Sequence, residues 1–103
     1  SSFNLNASTA LMERALDNLI VNCIHHATTQ VEVILSQNQI LIQDDGPGFL
    51  PEDLPHIFKR FYKGSSGHTG LGLAIAKEVL TKYNLSLSAG NSPTGAYYEI
   101  ISQ

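Results

Sequence analysis

Cysteine is almost absent. Cys23 stands alone among 103 residues, which excludes an internal disulfide and leaves no thiolate set for a structural zinc. No apolar run approaches the roughly 18 residues that span a bilayer, and no signal-peptide pattern opens the chain. Any membrane anchor is therefore expected in another part of the parent protein. Basic charge is also scarce: six Lys and Arg against nine Asp and Glu give a formal charge of -3. That argues against nucleic acid as a partner, because a general binder shows a basic face. Internal repeats and low-complexity tracts are missing. Glycine is missing from the first 45 residues, yet eight follow, six of them between Gly46 and Gly72. What remains is an ordinary globular composition, 43% hydrophobic and 15% charged, with length for one core. Residues 1–103 are expected to form a single domain.

Periodicity orders the elements. In ASTALMERALDNLIVNCIHHA, residues 7–27, apolar positions 12, 15, 16, 19, 20, 23, 24 and 27 form a helical stripe. Ser8 or Thr9 can cap its start, and FNLN before it suits a short strand. QVEVILS alternates Val31, Val33 and Leu35 against Glu32 and Ser36, and NQ turns the chain into ILIQD, a hairpin. PEDLPHIFKRFY suits a short helix. A second long helix is expected from about residue 70 to 83, and NLSLSAGN and GAYYEIIS read as strands around a turn with Pro93 and Gly95. Paired strands with helices between them favour an α+β fold, a two-layer sandwich with a mixed or antiparallel sheet packed on helices.

Several residues can carry chemistry, each with a plainer alternative. Gly70 and Gly72 fall in the first turn of the second helix, where glycine is a poor helix former. Without a Cβ, an anion can approach the unpaired N–H groups of that end; the alternative is a loop glycine followed by a tolerated one. Asn18 and Asn22 lie four apart on one helix face, with His25 nearby. An asparagine oxygen is a competent magnesium ligand, but a polar flank opposite a core stripe is more often simply solvated. Strand alternation puts Asp44 on the face of Ile40 and Ile42. A carboxylate there needs a donor, which an adenine amine could supply, with Gly46 and Gly48 letting a flat base lie close; a plain DG turn fits as well. In IFKRFYKG, Phe58 and Phe61 suit the core or brace the next loop. Lys59, Arg60 and Lys63 are cations that could face a transferring phosphoryl group, or plain surface charges. His25 and His26 point about 100° apart and cannot easily share one ion; with His56 and His68 they form no metal set.

The ordered set NLIVN, DDGPGF, IFKRFYKG, GHTGLGLAIAK and SPTGAYYEI resembles the N, G1, F, G2 and G3 boxes of sensor histidine kinases. These define the catalytic ATP-binding domain of the superfamily shared with DNA gyrase, a heat-shock chaperone and mismatch-repair ATPases. The resemblance covers residues 9–101 and implies a Bergerat-type sandwich with ATP and Mg²⁺ as cofactors. It implies that Asn22 holds the magnesium, that Asp44 recognises the adenine amine, and that Gly46 and Gly48 shape the base pocket. Gly70, Leu71 and Gly72 match the stretch that meets the phosphates. Arg60 and Lys63 match basic positions near the γ-phosphate or the partner domain, which makes them the catalytic candidates. His25 stands where lysine or arginine is common, His26 where the nucleotide is lined, and His68 replaces a common glycine. The lid between Tyr62 and Gly70 is short.

Asn18 separates two chemistries. Hydrolytic relatives place a glutamate one turn before the magnesium asparagine to activate water, and a carboxamide cannot act as a general base. The resemblance thus implies a kinase that transfers phosphate to a histidine on a dimerisation domain not found in these residues. A response regulator would be reached through the full-length protein, a cytoplasmic domain of a membrane-anchored parent. The isolated domain is expected to be a monomer with little turnover. An anti-sigma-factor-type serine kinase and a degenerate protein-binding module are the alternatives.

Overall fold

A computed structural model describes residues 9–60, 62 and 72–102. The expected strand at FNLN and the expected roles of Lys63, His68, Gly70 and Leu71 lie outside the described residues, as does Phe61. The described elements are α1 (Thr9–His26), β1 (Val31–Ser36), β2 (Gln39–Asp44), a 3-10 turn (Leu54–His56), α2 (Gly72–Lys82), β3 (Leu85–Ser92) and β4 (Gly95–Ser102). The four strands are antiparallel in the order β1-β2-β4-β3. Both helices pack on one face of this sheet, so the expected two-layer α+β sandwich is what forms.

The core follows from the two periods. Met12, Ala15, Leu19 and Cys23 recur every three or four residues and bury one face of α1. Beneath them, every second residue of the central strands turns inward: Ile40 and Ile42 on β2, Tyr98 and Ile100 on β4, Leu85 and Leu87 on β3. Ala76 and Leu80 of α2 complete the cluster.

Two expectations change. Val33 and Leu35 do share the face of their partners Ile42 and Ile40, but they are 47% and 67% exposed. β1 is an edge strand beyond β2, and α1 lies over the centre of the sheet, so alternation there sets direction without burial. The stretch expected as a short helix is a single 3-10 turn followed by a turn from His56 to Lys59. Pro55 has no N–H to bond the carbonyl four residues before it, and its ring crowds that carbonyl, so a longer helix is interrupted there.

The end of α1 closes tightly on the segment after β2. A Cβ built at Gly46 would lie 1.9 Å from the carbonyl oxygen of His26, so only glycine lets the chain pass. Gly46→Ala is expected to lower stability by about 1–3 kcal/mol or more through overpacking, read as the midpoint of urea unfolding. An unchanged midpoint would mean that this packing is not tight.

Candidate functional site

Asp44 ends β2 facing the helices and is 4% exposed, a charged group set against the core. It survives there because donors converge on it. Its Oδ1 accepts the backbone N–H of Gly46 at 2.9 Å and of Ala96, on β4, at 3.3 Å, and the Cys23 thiol of α1 lies close enough to interact with the same carboxylate. Burial first, then the neighbouring Asp44 carboxylate, pushes the Cys23 thiol up to about 12, so it stays neutral. A carboxylate offers about four lone-pair sites. Two backbone donors among the described residues, both on Oδ1, leave capacity for another, such as an exocyclic amine.

The glycines expected at a base pocket are first required by the protein itself. Gly46 is hemmed in by His26. Gly48 has φ +84, and a Cβ there would meet Asn91 Oδ1 at 2.7 Å. Asn91, on β3, accepts the N–H of Phe49 at 2.7 Å and donates to its carbonyl at 2.9 Å, holding the loop as a neighbouring strand would. Asp45, which the sequence reading passed over, points away from Asp44 and binds the α1–β1 connection. Its Oδ1 accepts the amides of Thr28, Thr29 and Gln30 at 2.9, 2.9 and 3.1 Å, and its Oδ2 takes the Thr29 hydroxyl. The Thr29 hydroxyl, then the amides of Thr29, Gln30 and Thr28, hold the Asp45 carboxyl well below the usual carboxylate range. Gly95, expected as a turn residue, is also needed for close packing: a Cβ there would strike the Asp44 carbonyl oxygen at 2.2 Å.

On α1, Asn18 and Asn22 are half-buried and not part of the solvated flank that their spacing suggested. The Asn22 amide nitrogen donates to the hydroxyl of Tyr98, 76 residues away. Asn18 faces the start of α2, its amide carbon and oxygen each 3.6 Å from where a Gly72 Cβ would sit. Polar groups of α1 therefore border the amino end of α2, where unpaired N–H groups and the helix dipole favour an anion. His25 is exposed at the last turn of α1, and the adjacent His26 is half-buried. Arg60 reaches Glu78 of α2 in an ion pair whose side chains are 55% and 58% exposed. No described cluster of three or more His, Cys, Asp or Glu could hold a metal ion, so a cation here needs neutral oxygen donors and ligand oxygens. The Asn22 oxygen is such a hard donor, and with the nitrogen committed to Tyr98 it is the group left to offer.

The depressed Asp45 carboxyl makes a pH-dependent contribution to stability. It is fully present above the unfolded value, near pH 4, and is lost as pH falls through the lower folded value. The difference in urea midpoint between the wild type and Asp45→Ala should therefore narrow below about pH 4. A difference that stays constant down to pH 2 would show that folding does not hold the Asp45 carboxyl below its ordinary range.

Residues 7–101 match the family described as histidine kinase-, DNA gyrase B- and HSP90-like ATPase. Among curated proteins, sensor histidine kinase CssS of Bacillus subtilis is 36% identical over 91 residues, covering 84% of this chain and 20% of that protein. Sensor histidine kinase CpxA of Escherichia coli is 35% identical over 100 residues, covering 87% of this chain and 22% of that protein. The chain thus spans about a fifth of the length of these relatives. A solved mycobacterial sensor histidine kinase, MprB, superposes with a TM-score of 0.80 at 24% identity, covering 95% of this chain and 75% of that one, a likeness of fold. The convergence of α1, the end of β2 and the start of α2 is thereby given its family: the chain belongs to the histidine kinase-, DNA gyrase B- and HSP90-like ATPases, as an ATP-binding domain.

Proposed function

We propose that this chain is the catalytic domain of a two-component sensor histidine kinase. It delivers the γ-phosphoryl group of ATP to a histidine on a separate dimerisation domain of a membrane-anchored parent. The observation that carries the reading is Asn18 against Gly72 at the start of α2. At the border between the polar flank of α1 and an anion-favouring helix end, the side chain is an amide. No proton can be taken from water by a carboxamide, so bound ATP is kept for another nucleophile.

Each residue then has a task. Asp44 offers its remaining acceptor capacity to the adenine amine. The first turn of α2 presents backbone N–H groups to the phosphates, with Gly72 keeping that approach open. Asn22 would hold Mg²⁺, which when bound supplies charge neutralisation for the triphosphate. Arg60 is tied to Glu78 only by a solvent-exposed pair, worth on the order of 0–1 kcal/mol, so a phosphate can replace Glu78. The Arg60 and Lys63 charges would then stabilise the transferring group.

Labelled ATP mixed with this chain and the parent's dimerisation domain should place label on histidine, as an acid-labile, alkali-stable product. Label on serine would contradict this reading and support a serine kinase of the same family. Binding of neither ATP nor its analogues would identify a protein-contact module. Within the site, Asp44→Asn should weaken ATP-analogue binding by about tenfold or more, because its NH₂ presents a donor to a donor. One amide oxygen remains for the Gly46 and Ala96 amides, so unfolding should move less. Equal calorimetric affinities for the two proteins would remove Asp44 from base recognition.

A further inference from the structure

We propose that Tyr98 is a positioning residue for the cation site: its buried hydroxyl binds the Asn22 amide nitrogen, fixes that side chain, and leaves the amide oxygen for magnesium. This rests on the nucleotide-site reading above and adds a residue to it. A free asparagine amide can turn over and present NH₂ or oxygen to the same point, and NH₂ opposes a cation. Tyr98 accepts from the nitrogen, so in this geometry the amide is tethered through its NH₂ and the oxygen is the end left over.

Tyr98 is suited to the task because it cannot easily move. It is 1% exposed and sits in the middle of the sheet, opposite Ile42 of β2 and Ala89 of β3. Its ring meets Phe49 edge-on at 5.7 Å between centroids and Phe58 at 6.4 Å. Phe49 is in turn held by Asn91. Burial first, then the neighbouring Cys23, pushes the phenol well above its usual range, so it stays neutral. The hydroxyl is thus a fixed, uncharged post rising from the sheet under α1. Groups that orient a metal ligand in this way typically alter metal affinity by about 10–100-fold when removed.

The test is Tyr98→Phe, which keeps the ring and removes only the hydroxyl. Affinity for a non-hydrolysable ATP analogue is measured by calorimetry with Mg²⁺ and with EDTA, and the ratio of the two is the metal's contribution. The ratio should fall by about tenfold or more in Tyr98→Phe, with EDTA affinity within about twofold of wild type. In an Asn22→Ala background the same change should have no further effect on the ratio, because Tyr98 acts through Asn22. An unchanged ratio, or an equal fall in the Asn22→Ala background, would overturn the proposal. A second measurement uses the wild type alone: the Asn22 side-chain NH₂ protons should exchange with solvent more slowly than those of exposed Asn38, and equal rates would also overturn it. Wild-type protein that binds no analogue would instead overturn the nucleotide-site reading itself.

Discussion

The Asp44 carboxylate is the constraint on which the rest of the structure depends. A buried anion is tolerated only where donors gather, and three parts of the chain meet here. Gly46 supplies an amide from the following loop and Ala96 one from β4, with the Cys23 thiol of α1 beside them. One group therefore fixes where β2 ends, how close β4 lies and how α1 sits over both. Gly46 and Gly95 are consequences, since side chains there would strike the His26 and Asp44 carbonyl oxygens. The anchor of the fold is also the group offered to a base, so one side chain serves both architecture and recognition.

From that anchor the site extends along α1. Cys23 and Asn22 are consecutive: one reaches Asp44 and the other the hydroxyl of Tyr98. One turn earlier, Asn18 meets the start of α2. The helix thus presents its inner flank as a polar edge that leads from the end of β2 to an anion-favouring helix terminus. The half-buried amides of this edge carry no charge. That suits holding a magnesium-bound triphosphate, which brings charge of its own, and neither amide can act as a base toward water.

Much of this was legible in the sequence because helix and strand periods differ. The stripe of Met12, Ala15, Leu19 and Cys23 and the inward set Ile40, Ile42 and Asp44 are local patterns, and the alternation that turns Asp44 inward also turns Asp45 outward. Local pattern could not supply sheet order, so the exposure of Val33 and Leu35 followed only once β1 was an edge. Nor could it supply partners far away in the chain. Asn22 looked like a solvated residue because Tyr98 lies 76 positions on, and Gly48 looked like a base-pocket glycine because Asn91 was not in view. The resemblance named candidates for the site; the fold shows that several of them hold the protein together first.

The central claim is that α1, the end of β2 and the start of α2 border one nucleotide site. Backbone and side-chain NMR shifts recorded as Mg²⁺ and a non-hydrolysable ATP analogue are added test it most directly. Saturable shifts should concentrate on Asn18, Asn22, Asp44 and Gly72, with the outer-face residues Ser86, Ser88 and Glu99 unmoved. Shifts confined to the outer face of the sheet, or absent from Asn22 and Gly72 while the analogue binds, would contradict the account.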